Sequence, residues 1–248
     1  MLISLHIWCI GLQEIGVNRN GLSMTSLCDA FEKRCFLVLG FLCLAFPNHA
    51  LAQTGEWEKY SETPTLIIYL RDVKGSSVPE FKAVGIVEAS PDTCWKVIQN
   101  FPGYTRTMPF IKESRIVDHD SDGIFLYSII DPEKHIVFRK VWPRDFTIKV
   151  VSDSNAMTAR WEIAENRGPE ARDGFVRVNK NTGSWQLRPL SEDGIKTEIT
   201  YQIHTEPGGD LGGASRYLPK WLKAWANSDA LPELFRRLAE AVKLPEYQ

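Results

Sequence analysis

Two stretches of sequence decide the fold of this chain, TEITYQIHTEPGG at residues 197–209 and YLPKWLKAWANSDALPELFRRLAEAV at residues 217–242. The first alternates apolar and polar residues with a period of two, which is typical of a β-strand with one buried face. Its apolar positions are Ile199, Tyr201 and Ile203. In the second stretch the apolar spacing changes to that of a helix. The sequence therefore predicts a last strand, a glycine-containing turn and a long amphipathic helix.

The C-terminal helix is predicted from Pro219 onward, over about 24 residues or about 36 Å. Its apolar stripe consists of Trp221, Leu222, Trp225, Leu231, Leu234, Phe235, Leu238 and Val242. Pro232 lies inside this stretch, and Asp229 is suited to cap a second helical segment. We therefore expect a kink or a break near residues 227–231.

Upstream, the chain is predicted to be mostly strands joined by short turns. Strands are expected at residues 65–72, 80–89, 111–118, 124–130, 135–142, 145–152, 156–164, 175–190 and 195–205. Turn signals separate them, and one further turn signal is Asn181-Thr182-Gly183. Ser90 and Pro91 are suited to begin a helix. Residues 53–63 are a polar opening segment for which a short helix is one interpretation. Sequential strands with short turns predict an antiparallel meander.

The later strands carry one apolar face. Apolar residues alternate with polar ones at Met157, Ala159, Trp161, Ile163, Trp185 and Leu187. This pattern indicates a sheet that is covered on one side only. The strands between residues 124 and 142 are apolar at both parities, so the sequence leaves open which of their faces points inward.

One helix is about 10 Å across and cannot fill the concave face of seven or more strands. Side chains or a bound guest must occupy the remaining space. The large aromatic residues on the inward positions and on the helix suit either outcome, and they are Trp161, Trp185, Tyr201, Trp221 and Trp225. A solid core and a ligand cavity both remain open at this point.

Composition excludes some classes of function. The chain has 248 residues, with 29 Lys and Arg against 31 Asp and Glu and a formal net charge of −2. Nucleic-acid binders rely on clustered cations, and no long basic run is present, so we expect no nucleic-acid partner.

The N-terminal region has the pattern of a secretory signal peptide. Lys33 and Arg34 precede the apolar run CFLVLGFLCLAF at residues 35–46, and Ala50-Leu51-Ala52 follows. The run is shorter than the roughly 20 residues that a spanning helix needs. We expect cleavage after Ala52, export to the periplasm or outside the cell, and one mature domain at 53–248; an uncleaved anchor or a buried helix is the alternative. Met24 would give a leader of normal length, so we expect it to be the true start.

Cysteine usage limits the chemistry of the mature chain. Four cysteines fall in the leader, and Cys94 alone remains after residue 52. A mature monomer therefore holds no internal disulfide and no thiolate zinc site.

The order of several local strings resembles the START lipid-transfer family within the helix-grip, Bet-v-1-like superfamily. These strings are FKAVGIVEASPDTCWKVIQN, VWPRDFTIKVV, GSWQLRPL, TEITYQIHTEPGG and YLPKWLKAWANSDALPELFRRLAEAV. Each is modest alone, but their order is fairly specific, and the resemblance covers about residues 65–243. It implies an α+β helix-grip fold, a curved antiparallel sheet wrapped around a long C-terminal α-helix, with a tunnel for one lipid or sterol-like molecule.

The resemblance also implies a site and a lid. The residues expected to meet the ligand are Trp161, Trp185, Leu187, Ile199, Tyr201, Ile203, Trp221, Leu222 and Trp225. The loop before the last helix is expected to act as part of a lid with Gly208, Gly209, Gly212 and Gly213. Residues 210–216 lengthen this loop relative to the family, so we expect a longer lid that closes differently. Arg139, Arg160 and Glu162 are candidates for polar contacts in the tunnel, although solvent-exposed ion pairs are the commoner role.

Signatures of catalysis and metal binding are absent from the mature sequence. His119, His135 and His204 have no metal-ligand spacing, and no nucleophile motif occurs. We expect no catalytic residue, no cofactor and no metal. A cavity enzyme of the same superfamily, cyclase-like and acting on an apolar substrate, is the alternative, and a module that recognises a membrane or a protein through the lid is the third.

The function expected from sequence is binding and transfer of one hydrophobic molecule by a monomer. Transient contact with an anionic membrane is expected near the lid, where cations and aromatic residues occur together. These residues are Arg216, Tyr217, Lys220, Trp221 and Lys223.

Overall fold

The structure is a computed structural model. It describes residues 55–131, 143–190, 192, 194–206, 208–209 and 230–248, and the backbone alone of residues 135–136 and 139–140. These residues all belong to one compact unit, Ala52–Gln248. Several predicted features lie outside the described residues, namely the leader, the membrane-contact residues, and Gly212, Gly213, Trp221, Leu222 and Trp225.

Strands account for most of the described chain. They are β1 (Glu58–Thr63), β2 (Leu66–Arg71), β3 (Glu80–Val87), β4 (Ile111–His119), β5 (Ile124–Ile130), β6 (His135–Ile136), β7 (Arg139–Lys140), β8 (Arg144–Asp153), β9 (Thr158–Ile163), β10 (Val176–Arg177), β11 (Lys180–Pro189) and β12 (Thr197–Glu206). The helices are α1 (Pro91–Gln99), α2 (Tyr104–Thr107) and, from where the description resumes, α3 (Ala230–Ala241). Short 3₁₀ turns occupy Phe101–Gly103 and Pro245–Tyr247.

One large curved sheet organises these elements. Its strand order is β1-β2-β3-β12-β11-β9-β8-β5-β4, and every pair along this path is antiparallel. The pairing of β3 with β12 joins the first hairpin to the last strand. The predicted α+β class with a curved antiparallel sheet is confirmed.

Helix α3 lies against one end of the sheet and packs on β2 and β3. Its buried side chains, Leu231, Leu234, Phe235 and Leu238, have the spacing of one helix face. Helix α1 begins as predicted, because the Ser90 hydroxyl accepts a hydrogen bond from the backbone N–H of Thr93. The C-terminal residues are tied to α1 by the Asn100 amide, which donates to the Tyr247 hydroxyl at 2.7 Å.

Two predictions for the outer parts of the sheet are wrong. The polar opening segment forms strand β1 and not a helix, since its backbone pairs with β2 while its side chains stay exposed. Residues 135–142 do not form one strand of the meander. Within them, β6 and β7 are two residues each and pair with each other in a separate small sheet.

The predicted strand at residues 175–190 is also corrected. It is divided into β10, which pairs with the start of β8 in parallel, and the longer β11. The turn signal Asn181-Thr182-Gly183 lies inside β11. Asn181 is held there because its amide oxygen accepts a hydrogen bond from Trp161 Nε1, so tertiary contacts override its turn preference.

Strands β5 and β8 are buried on both faces, which explains why the sequence of β5 shows no clean alternation. Residues 164–178 cover the outer face, where Tyr127 is 0% exposed and Thr147 is 3% exposed. This segment is attached by the N–H of Ala164, which donates to the Thr147 carbonyl, and by the N–H of Val176, which donates to that of Pro143. The inner face is therefore that of Leu126 and Ser128.

A buried ion pair holds this covering segment. Arg177 contacts both carboxylate oxygens of Asp145, at 3.0 and 2.9 Å, and also donates to the Pro169 carbonyl at 3.0 Å. The Tyr127 hydroxyl donates to the same carboxylate at 3.0 Å. Because Asp145 is 1% exposed, these donors replace the water that its carboxylate loses on burial.

We therefore predict that Arg177→Met lowers the free energy of unfolding by about 3 kcal/mol, because the buried carboxylate of Asp145 loses its cation. Arg188→Met is the matched control. The Arg188 side chain pairs with Glu198 but is 69% exposed, so its loss changes stability by less than about 0.5 kcal/mol. Urea denaturation measures both variants, and equal effects would contradict the role given to Arg177.

Candidate functional site

A cavity of about 270 Å³ lies between the inner face of the sheet, the α1–α2 segment and helix α3. Strands β3, β5, β8, β9, β11 and β12 contribute its floor, and Leu231 and Leu234 contribute from the helix. Phe101, Tyr104 and Met108 close one side. The volume is near the lower end of the range of small-molecule sites, about 300–1,000 Å³.

Three aromatic rings form one wall of the cavity. The ring centroids of Trp185 and Tyr201 are 4.2 Å apart, and those of Trp161 and Tyr201 are 5.8 Å apart. Gly183 makes room for this arrangement, since a Cβ there would lie 2.2 Å from the Trp161 ring. The wall is therefore fixed by the packing of neighbouring strands.

The structure brings together four of the predicted ligand-contact residues, because Trp161, Trp185, Tyr201 and Ile203 line the cavity. Leu187 and Ile199 share the same inward face, but they are 4% and 0% exposed in the core and do not line it. Of the predicted lid glycines, Gly208 and Gly209 are described. Both have positive φ, and a Cβ on either would lie 3.1 Å from an atom of β10.

Sequence reasoning missed most of the lining. Residues of the α1–α2 segment line the cavity, and so do Leu126 on β5 and Phe146 and Ile148 on β8. The alternation of Phe146 and Ile148 with the polar Asp145, Thr147 and Lys149 was a usable signal for the inner face of β8. Helix α2 is too short for its sequence to show a helical period.

Phe110 lies on the cavity lining in a strained backbone conformation. Its φ is +65°, in the left-handed region that costs a residue with a Cβ roughly 1–2 kcal/mol. Its carbonyl accepts a hydrogen bond from the N–H of Asp131, which ties the start of β4 to the end of β5.

The polar groups of the lining are few and neutral. The Tyr104 hydroxyl donates to the Ile98 carbonyl at 2.7 Å, and Trp161 Nε1 donates to Asn181 Oδ1 at 2.9 Å. Burial raises the pKa of the Tyr104 and Tyr201 phenols. Ser128, Asn181 and Thr205 complete the polar set.

Charged and reactive side chains lie elsewhere among the described residues. Arg160 and Glu162 are exposed on the outer face of β9, which fits the commoner role of surface charges, while the side chain of Arg139 is outside the description. Burial raises the pKa of the Cys94 thiol to about 11, so the thiol stays protonated.

The histidines and carboxylates assemble no metal centre in the part of the chain that the structure describes. His204 lies on the outer face of β12 with its Nε2 3.2 Å from the Ser76 hydroxyl, and His119 is exposed. A search for long apolar helices in the same residues found none that could cross a bilayer.

Comparison with known proteins places this geometry in a family. Residues 87–216 match the family described as "Polyketide cyclase / dehydrase and lipid transport". An uncharacterised protein of Pseudomonas aeruginosa is 27% identical over 190 residues, which cover 75% of this chain and 85% of that protein.

Two solved structures have the same fold. A STAR-related lipid transfer protein from Xanthomonas axonopodis superposes with a TM-score of 0.61 at 22% identity, covering 76% of this chain and 99% of the other. Human StAR-related lipid transfer protein 5 superposes with a TM-score of 0.58 at 15% identity, covering 86% and 97%. The helix-grip architecture implied by the sequence resemblance is confirmed.

The aromatic wall predicts which substitutions affect binding of a hydrophobic probe. Trp185→Ala and Tyr201→Ala should each weaken Nile red binding about tenfold, because the probe loses apolar contact area. His204→Ala, on the outer face of the same sheet, should change it less than twofold. Fluorescence titration measures binding, and thermal unfolding checks that each variant folds. A larger effect at His204 than at the wall would contradict the placement of the site.

Proposed function

Because the chain belongs to the family described as polyketide cyclase / dehydrase and lipid transport, we propose that its cavity carries one lipid or other hydrophobic molecule through water between membranes. The chain is a hydrophobic-ligand-binding domain of the START type. Transfer without chemical change is the activity proposed for it.

The apolar lining of the cavity carries this proposal. Moving an acyl chain out of water is favourable by about 0.8 kcal/mol per CH₂ group, so a site lined by Leu126, Phe146, Ile148 and Leu234 retains such a chain. Trp161, Tyr201 and Ile203 line the cavity and are only partly buried by protein, so they offer apolar surface to a guest.

Two features of the lining favour a carrier over a cyclase. General acid–base catalysis works best with groups whose pKa lies near the working pH. The two phenols that line the cavity are shifted away from it, since burial raises the pKa of Tyr104 and Tyr201. The remaining polar groups of the described lining are a serine, a threonine and an asparagine, which neither gain nor lose a proton near neutral pH.

We propose that the carrier works in the periplasm or outside the cell as a monomer that touches membranes transiently. The signal-peptide pattern ahead of Gln53 supports export. The cations and aromatic residues near position 220 support contact with an anionic surface.

Native mass spectrometry of the protein purified from its own cells tests the proposal. We expect one hydrophobic ligand per chain, which is recovered chemically unchanged after incubation with the protein. Ile203→Trp should expel it by filling the cavity, while Gln202→Trp, which points to the outer face of the same strand, should retain it. Turnover of the ligand would favour the cyclase, and a ligand-free chain with a filled core would contradict both.

A further inference from the structure

We infer that the cavity selects an uncharged ligand whose one neutral oxygen, a hydroxyl or a carbonyl, is held between Asn181 and Thr205. This inference rests on the proposed function and names the ligand class of the same site. The ligand would be a single apolar chain or a compact apolar body that ends in an alcohol, aldehyde, ketone or ester.

The two polar side chains lie side by side. Asn181 on β11 and Thr205 on β12 are direct partners in the antiparallel register, and both line the cavity. Side chains of such partners project from the same face with their Cβ atoms roughly 4.5–5.5 Å apart. One ligand oxygen can therefore lie between the two residues, and it reaches the Thr205 hydroxyl when that side chain rotates its buried Oγ1 toward the cavity.

The Asn181 amide and the Thr205 hydroxyl are both available to form hydrogen bonds with a ligand. Asn181 is 4% exposed, and its Oδ1 is already occupied by the donor of Trp161, which orients the amide with its NH₂ group as the unused end. The Thr205 Oγ1 is buried and has no hydrogen-bond partner in the protein. Buried polar groups are nearly always satisfied, so an unsatisfied hydroxyl on a cavity wall indicates a partner that arrives with the ligand.

The charge of the lining sets the ligand class. Every side chain on the described lining is neutral. An ionised carboxylate or phosphate placed between Asn181 and Thr205 would lose its water without gaining a cation from this described lining, which is strongly unfavourable. A neutral oxygen loses little, because the amide donates to it and the hydroxyl donates or accepts.

The apolar part of the ligand follows the same strands. Trp185 is four residues beyond Asn181 on β11, which is roughly 13 Å at the usual strand rise. Tyr201 stands at the matching distance from Thr205 on β12. The ligand therefore presents an oxygen at one end of the lining and an apolar body along the aromatic wall.

Ligands with one chain length and different head groups test the inference. We would measure binding of 1-dodecanol, 1-chlorododecane, dodecanoate at pH 8 and dodecyl phosphate by displacement of Nile red, all below their aggregation concentrations. We expect 1-dodecanol to bind at least a hundredfold more tightly than either anion.

Thr205→Val supplies the matched variant, since valine keeps the shape and the hydroxyl makes no bond within the protein. It should weaken binding of 1-dodecanol about three- to tenfold, the loss of one neutral hydrogen bond, and leave 1-chlorododecane within twofold. Thr200→Val, on the outer face of the same strand, should change neither.

The results distinguish a failure of this inference from a failure of the proposed function. Anions that bind as tightly as 1-dodecanol would overturn the inference and leave the proposed function standing. In that case, a loss of anion binding in Arg144→Gln would assign the anionic head group to the half-buried arginine at the start of β8. An equal effect of Thr205→Val on the alcohol and the chloride would overturn the role of the pair. If no member of the series binds, the proposed function fails with it.

Discussion

The close approach of helix α3 to strand β3 sets the geometry on which the cavity depends. Gly85 allows it, because a Cβ at this position would lie 2.2 Å from the ring of Phe235. The helix is thereby seated at one end of the concave face, where Leu238 and Val242 complete a dense core. The first turn of the same helix, with Leu231 and Leu234, lies over the cavity and lines it.

A second constraint comes from the other side of the sheet. Residues 164–178 cover β5 and β8 from outside, and the ion pair of Arg177 with Asp145 holds them in place. The strands are thus supported on their outer face and can leave apolar surface on their inner face without collapse. The outer face of these strands thus contributes to stability, and their inner face lines the ligand cavity. This division explains why the chain can keep a cavity in its core.

Sequence patterns predicted the parts of this structure that obey simple periodicity. Helix α1 with its Ser90 cap and strand β5 were found directly, and the inward positions of Trp161, Trp185 and Tyr201 followed from alternation. Alternation could not tell that Leu187 and Ile199 lie past the cavity, because they share its face. The sheet edges and Asn181 were misjudged, since pairing with β2 and the bond from Trp161 are tertiary effects that local preference does not contain.

The central claim is that the sheet and the helices enclose apolar space that their own side chains leave unfilled. Crystals of the protein under xenon gas test it most directly, because xenon occupies dry apolar cavities without needing a polar partner. The expected result is strong anomalous density for xenon in the cavity, between the aromatic wall of Trp185 and Tyr201 and the helix residue Leu234. Density that shows Leu234 packed directly against this wall, with no xenon in the cavity, would contradict the claim.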